Sequence, residues 1–147
     1  MTTTPSIRVR NSQRAIRVSV RALQAFAEAA LKIASTMKPH RGGVLQDLQQ
    51  IDVIVVSDQR IATLHKRFMN IAGPTDVITF QHGELFISAE TAKANARRYR
   101  TTTDAEIRLY ITHGILHLIG FNDATAHAAR TMAATQERVA AAAEAAM

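Results

Sequence analysis

The sequence contains no cysteine. Disulfide bonds, thiolate metal sites and a cysteine nucleophile are therefore excluded, and the absence is compatible with a reducing compartment. No apolar run approaches the roughly eighteen residues that a membrane-spanning helix needs. The first residues show no basic segment followed by an apolar stretch, so the sequence gives no sign of a secretory signal. We expect a soluble cytoplasmic protein with no membrane partner.

Acidic residues are scarce in the first part of the chain. Residues 1–41 hold eight Lys or Arg and one acid, Glu28, whereas the rest of the chain has one more acid than base, so the whole of the +6 net charge comes from the amino-terminal part. A basic face suits a polyanion such as RNA, whose phosphates it can neutralise. A solvated helix surface explains the same pattern, and charge alone leaves both alternatives open.

The 147 residues are 47% hydrophobic and 20% charged, which is typical of one globular domain. We predict a single domain over 1–147, with a basic strand and helix at 1–41, a central region at 50–123 and an Ala-rich helix at 124–147. Hydrophobic periodicity predicts the order β-α-β-α-β-β-α-α-α. This is an α+β fold in which a four-stranded mixed sheet packs with about five helices. We expect the Ala-rich helix to bury little, because its side chains are small.

The predicted strands are short segments rich in β-branched or alternating residues, at 7–10, 52–57, 76–80 and 84–88. The second of them is continuously apolar, which favours a central position in the sheet. The last two are separated by three residues, a spacing that suits an antiparallel hairpin. The first helix is predicted over 18–37, and the segment 44–52 is read as a less regular approach to the second strand.

Two histidines, His113 and His117, stand four residues apart within a run of helical periodicity. On a helix they share one face and can reach one metal ion. Gly120 is typical of a helix end, so the chain can turn back and bring Asp123 to the same point. The spacing H-x-x-x-H-x-x-G-x-x-D is close to the zincin pattern, and three protein ligands leave a position for water. We therefore predict a zincin-like metal helix.

Each of these residues also has a structural explanation. A histidine on an apolar helix face is commonly a packed core residue, and Asp123 could cap the following helix. His127, one turn further along, is a rival ligand that breaks the spacing. A peptidase of the H-E-x-x-H type needs a Glu beside the first His as its general base. Gly114 stands there, so no general base can be assigned.

Three segments resemble one known family. Residues 73–80, GPTDVITF, are similar to its P-T-D-V-[IL]-[ST]-F signature, and residues 113–121, HGILHLIGF, to its H-G-x-L-H-L-x-G-[FY] signature. Between them, residues 83–95 resemble the segment G-[DE]-[IL]-x-I-[SC]-x-[DE]-T-A. The family is YbeY, the bacterial rRNA maturation factor and single-strand-specific metal-dependent endoribonuclease. The resemblance covers about half of the chain, the central region 50–123.

The resemblance implies a zinc-dependent endoribonuclease with one Zn²⁺ per chain and a metal-bound water as nucleophile. It implies action at the 3′ end of small-subunit rRNA and in ribosome quality control. The expected partners are rRNA, the ribosomal small subunit and its assembly factors, with no DNA. The implied ligands are His113, His117 and Asp123, the last standing where the family has a third His. The carboxylate should make the bound water less acidic.

Further positions carry over as candidates for substrate binding. Thr75 and Asp76 are signature residues beside the implied cleft, although turn chemistry also explains Asp76. Many members have a Tyr-Arg pair where this chain has Phe68 and Met69. A basic residue expected near the cleft is thus missing, and Lys66 or Arg67 could serve in its place.

Two other functions stay open at this point. The protein could be a metal-dependent hydrolase of another substrate such as peptides, although the absent Glu argues against that. It could also be a non-catalytic RNA-binding ribosome assembly factor whose metal is structural.

Overall fold

The computed structural model describes residues 4–147, so the first three residues of the predicted 1–147 domain and 1–41 basic segment lie outside it. The described chain forms one sheet of four strands: β1 (Ser6–Asn11), β2 (Gln50–Val56), β3 (Val77–Phe80) and β4 (Glu84–Ser88). The order is β1-β2-β4-β3, with β1 and β4 parallel to β2 and β3 antiparallel to β4. This mixed sheet confirms the predicted α+β fold, with β2 inside the sheet and β3 and β4 in a hairpin.

Five α-helices accompany the sheet within residues 4–147. They are α1 (Val20–Ala34), α2 (Asp58–Met69), α3 (Ala89–Tyr99), α4 (Thr103–Ile119) and α5 (Ala126–Ala145). Each begins after a Ser or Thr whose hydroxyl accepts a hydrogen bond from a backbone N–H, which satisfies one donor of the first turn. The capping residues are Ser19, Ser57, Ser88, Thr102 and Thr125. None of these helices is long and apolar enough to cross a membrane.

The local differences from prediction have identifiable causes. The helix predicted over 18–37 is shorter at both ends: Ser19 is its N-cap, and its last residue is Ala34. Within the segment 44–52, a 3₁₀ turn (Leu45–Asp47) precedes β2. α5 begins after Thr125, whose hydroxyl accepts from the Ala128 N–H at 3.0 Å, so Asp123 is not its N-cap.

Helices cover both faces of the sheet, because the side chains of the strands alternate in direction. Ile51 and Val53 of β2 belong to the larger core, which they share with α1, α4 and α5. Ile54 and Val56 point the other way and pack with the buried face of α2. The continuous apolar sequence of β2 therefore reflects burial on both faces, as predicted.

The expectation that α5 buries little is wrong. Met132, Val139 and Ala143 are buried, and α5 packs against α1 and α4. Small alanine side chains let the helix lie close to its neighbours, so contact comes from proximity rather than from large residues. The Arg108 guanidinium also bonds the Glu144 carboxylate at 3.1 Å and links α4 to the end of α5.

The central helix of the molecule is α4, which contacts three other helices and two strands. Ten of its residues are buried. At Gly114 the helix backbone lies against β4, and a Cβ there would be 2.2 Å from Leu85 Cδ2. Gly120 has φ of 111° and ends the helix, as predicted. The backbone N–H groups of His40 and Val44 bond the last α4 carbonyls at 2.9 and 2.7 Å.

Tyr110 joins α4 to α3, because Asn95 Nδ2 donates to its hydroxyl at 2.7 Å. Burial raises the pKa of Tyr110 well above its usual value near 10. The hydrogen bond from Asn95 opposes this shift, while the carboxylates of Glu106 and Asp76 reinforce it. The phenol is therefore held neutral one turn before His113.

We expect Gly114→Ala to lower the free energy of unfolding by about 1–3 kcal/mol, the usual cost of overpacking a core. In a solvent-exposed helix the same substitution would raise the free energy of unfolding by about 1 kcal/mol. A decrease at Gly114 would therefore show that the helix backbone lies close to β4. Urea denaturation measures the difference. The Leu85→Ala background is the control, because truncating Leu85 should make Gly114→Ala less costly. A gain in stability in the wild-type background would contradict the packing described.

Tyr110 should make the protein less stable at high pH. Its phenol is neutral when folded, whereas in the unfolded chain it ionises near pH 10. Stability is therefore retained below about pH 10 and decreases above it. The Tyr99→Phe variant has Tyr110 as its one tyrosine. When its pH is raised, phenolate absorbance should appear together with the loss of far-UV circular dichroism. Tyr110→Phe is the control variant. Phenolate in a chain with unchanged helicity would sink this interpretation.

Candidate functional site

A cleft of about 230 Å³ lies between α4 and β3, the strand at one edge of the sheet. Its walls come from α4, from β3 and its hairpin turn, and from the end of α2. The lining residues are Met69, Val77, Ile78, Thr79, Gln81, His113 and His117. The two histidines predicted to share one helix face do so, and both open into this cleft.

The imidazoles of His113 and His117 face each other through their Nε2 atoms, which are 3.0 Å apart. Their Nδ1 atoms are both engaged elsewhere. His117 Nδ1 lies 3.0 Å from the Phe121 carbonyl oxygen, and His113 Nδ1 lies 2.8 Å from Gln136 Oε1. The Phe121 carbonyl can only accept, so His117 Nδ1 carries the proton and donates it, and His113 Nδ1 does the same toward Gln136 Oε1 in this orientation of the amide.

This arrangement fixes the state of the facing nitrogens. A neutral imidazole has one N–H, so with Nδ1 protonated each Nε2 presents a lone pair. Burial, and next the neighbouring His113, lower the pKa of His117, which favours its neutral form. Two lone pairs 3.0 Å apart repel unless a cation lies against both.

The donor set of the pair fits a metal ion such as zinc. Two nitrogens on a tetrahedral Zn²⁺, each at 2.0–2.1 Å, would be about 3.3 Å apart, close to the 3.0 Å between the facing atoms. Metal-binding histidines usually donate their other N–H to a carbonyl or carboxyl oxygen, which orients the ring. Both histidines have such a partner here.

Asp123 lies in the exposed segment between α4 and α5. Its carboxylate is near enough to His117 to raise the pKa of that imidazole. This is the weakest of the four influences on the pKa of His117. Within residues 4–147, however, no three His, Asp or Glu side chains are grouped closely enough to hold a metal ion. The structure thus brings together two of the three predicted ligands, and Asp123 as the third stays a prediction. His127, the rival ligand, is exposed in the first turn of α5.

The predicted substrate-binding residues lie beside the cleft and do not line it. Lys66 and Arg67 are exposed near the end of α2, and Lys66 Nζ donates to Asn70 Oδ1 at 3.0 Å. Asp76 Oδ1 accepts from the Val77 N–H at 2.8 Å and lies 3.4 Å from the Thr75 hydroxyl. The turn chemistry considered for Asp76 is therefore present, and it fixes the start of the strand that forms one wall.

Met69 lies in the wall of the cleft, at the position for which the sequence resemblance implies an arginine. The two arginines of β1 do not compensate for it. Arg8 and Arg10 are exposed on β1, at the opposite edge of the sheet. Three strand spacings of about 4.8 Å separate β1 from β3, so the two edges are about 14 Å apart.

The sequence analysis missed Gln136, which orients His113 from α5. The relevant signal is helical periodicity, because Met132, Val139 and Ala143 define an inward face that also includes Gln136. In an Ala-rich helix that face is difficult to recognise. Gly114 was identified, and a Cβ there would lie 2.2 Å from Leu85 Cδ2 and 3.2 Å from Thr79 Oγ1, so a larger residue does not fit unless Leu85 moves.

A larger cavity of about 320 Å³ lies elsewhere, between the start of β1 and the end of α1. No Asp, Glu, His, Lys or Arg side chain lines it among the described residues. Because acid–base and metal chemistry need such groups, the smaller histidine cleft is the candidate functional site.

Comparisons with known proteins identify the family of the chain. The family model described as endoribonuclease YbeY matches residues 8–144. The endoribonuclease YbeY of Bacteroides fragilis is 38% identical over 81 residues, covering 50% of this chain and 58% of that protein. The one from Acholeplasma laidlawii is 33% identical over 103 residues, covering 65% of this chain and 75% of that protein. The chain thus spans little more than half the length of the first of these relatives.

A solved structure shares the fold along nearly the whole chain. The solution structure of a Thermotoga maritima protein superposes with a TM-score of 0.64 at 25% identity. The match covers 93% of this chain and 88% of the other. The family model matches all but a few residues at either end of the chain, and this chain therefore belongs to the YbeY family.

Proposed function

We propose that this protein is a zinc-dependent endoribonuclease that cuts single-stranded RNA. The observation that carries the proposal is the pair of Nε2 atoms 3.0 Å apart in the cleft, each on a ring that is oriented by a hydrogen bond at Nδ1. Membership of a family named for endoribonuclease activity supports RNA as the substrate. The finer role proposed is maturation of the 3′ end of small-subunit rRNA and ribosome quality control, in the cytoplasm and with the small subunit and its assembly factors as partners.

The proposed zinc ligands are His113, His117 and Asp123. The orientation of both rings supports the first two, and the electrostatic effect of Asp123 on His117 supports a carboxylate on the same side of the cleft. Thr125 caps α5, which leaves Asp123 without that structural role. When bound, the ion would supply Lewis acidity and lower the pKa of bound water.

The protein residues around the ion would hold and orient the RNA. We propose that Lys66 and Arg67 bind phosphates beside the cleft, since both are exposed cations within three residues of Met69. Thr75 and Asp76 would act indirectly, by holding the first residues of β3 in place. We also propose that residues 1–147 act as one domain, because every helix described packs on the one sheet or on a helix that does.

The absence of a general base at position 114 disfavours a peptidase. A non-catalytic RNA-binding assembly factor is the other candidate. It is favoured by the exposed position of Asp123, which does not form a group of three metal ligands with the two histidines. The metal and cleavage measurements separate these two functions.

Untagged wild-type protein should contain about one zinc per chain by elemental analysis, the single-site expectation. Asp123→Ala should bind zinc much more weakly, and the double variant His113→Ala/His117→Ala should bind none. Asp47→Ala, which removes an exposed carboxylate elsewhere, is the matched control and should keep the metal.

The same proteins are then tested on a single-stranded RNA. Wild type should cleave it, lose activity with a chelator and regain it with zinc, while the double histidine variant stays inactive and folded. Wild type that binds RNA without cutting it, with or without zinc, would favour the assembly factor. Protein that takes up no zinc would remove the basis of the metal centre.

Gln136→Leu should weaken zinc binding by about 10- to 100-fold, the usual effect of losing a partner that orients a ligand. The change keeps the side chain at similar size but removes the oxygen that accepts from His113 Nδ1 at 2.8 Å. Competition with a chromogenic chelator gives the affinity. Gln136→Glu retains an acceptor and should bind zinc well, and Glu137→Ala, one residue away and exposed, is the matched control. Equal affinity in Gln136→Leu and wild type would show that Gln136 does not orient the ligand.

A further inference from the structure

The rim of the cleft carries an exposed apolar patch, formed by Phe68, Met69 and Ile71. These side chains are 56%, 45% and 51% exposed. Among residues 4–147 the other large exposed hydrophobic residues are Tyr99 and Met147. Three of the five thus stand within four consecutive positions, and one of them, Met69, also lines the cleft with the paired histidines. Contiguous exposed apolar surface of this kind marks an interaction site.

The patch is continuous with the cleft, because Met69 belongs to both. The ring of Phe68 is held in place although more than half of it is exposed. It packs edge-to-face against Phe80, with ring centroids 5.2 Å apart, and Phe80 in turn packs edge-to-face against Phe86 at 5.8 Å. Phe68 therefore presents a fixed aromatic surface to solvent, at little cost in side-chain entropy on binding.

Positive charge surrounds this surface. The Arg67 guanidinium lies 5.4 Å from the centroid of the Phe68 ring, within cation–π distance. Lys66 is exposed beside it, and the segment 58–76 contains three Lys or Arg and two acids, Asp58 and Asp76, which stand at its two ends. An anionic ligand with flat apolar groups would match both properties.

We propose that Phe68 is a stacking platform for an unpaired RNA base, with Lys66 and Arg67 binding the adjoining phosphates. This proposal rests on the proposed function. It adds that the rim of the cleft recognises an unpaired base of the RNA and the phosphates beside it. Proteins that bind single strands combine cations along the backbone with aromatic rings under the bases. In a duplex the bases stack on one another and are not available, so the platform also explains a preference for single strands.

The charge favours RNA over a protein partner as the occupant. An apolar protein surface would be expected to meet an uncharged patch, and an acidic protein would use the cations but leave the fixed ring unexplained. A nucleotide strand uses the ring, the cations and the cleft at once, because successive phosphates and bases repeat along one direction.

The platform can be tested by fluorescence, since the protein contains no tryptophan. Phe68→Trp puts a single fluorophore on the rim, where a stacked base should quench it. The titrant is a single-stranded oligoadenylate, with chelator present so that the strand is not cut. An abasic oligomer of the same length and charge should bind without quenching.

Tyr99→Trp is the matched control. Tyr99 is 62% exposed, and the Arg98 guanidinium lies 5.4 Å from its ring centroid, so it presents the same aromatic–arginine pair away from the cleft. Its fluorescence should not respond to the oligoadenylate. Equal quenching of the two variants would overturn the proposal, because the rim would then be no different from any other basic surface.

Affinity gives the second measurement. Phe68→Ala should raise the dissociation constant for oligoadenylate by about 5- to 100-fold, the effect of losing one stacked base, while Tyr99→Ala should bind like wild type. Circular dichroism checks that each variant is folded. Unchanged affinity in Phe68→Ala together with an unquenched Phe68→Trp would overturn the platform and leave the patch to a protein partner.

These outcomes are separate from those of the proposed function. Binding is measured without metal, whereas cleavage by zinc-loaded wild type is measured independently. Quenching at Phe68→Trp without any cleavage would support the platform and refute the nuclease. Cleavage without quenching would support the nuclease and refute the platform.

Discussion

The burial of α4 is the constraint on which the rest of the structure depends. The helix lies against the sheet so closely at Gly114 that a Cβ would contact Leu85, and other helices pack around it. A helix held from several sides cannot rotate or slide without breaking contacts on all of them. His113 and His117 inherit that rigidity, which is why their rings converge at the one side that opens into a cleft.

The cleft exists because the sheet ends there. β3 is an edge strand, so within residues 4–147 no further strand covers the side of α4 that extends past it. The same geometry explains why position 114 carries glycine. One residue along a helix turns the side chain by about 100°, from the open side at His113 to the sheet at Gly114. The close packing against Leu85 therefore leaves no room at position 114 for the Glu that a peptidase of the H-E-x-x-H type carries there.

The surroundings of the cleft combine three chemical properties that single-stranded RNA can use. The paired nitrogens offer a cation site, Lys66 and Arg67 offer positive charge, and Phe68 offers an exposed ring. The basic amino-terminal strand lies at the other edge of the sheet, about three strand spacings away. If it contacts RNA, it contacts a different part of the molecule from the part at the histidines.

The sequence by itself determined the element order, the hairpin, the helix end at Gly120 and the shared face of the two histidines, because each depends on local periodicity or on a residue with special backbone freedom. Tertiary structure alone decided what lies opposite those residues. Gln136 is 23 residues from His113, and it meets that ring because α5 packs on α4. The burial of α5 and the distance of β1 from the cleft likewise depend on contacts between elements far apart in the chain. No local pattern encodes such contacts, since they arise from the order in which strands and helices pack.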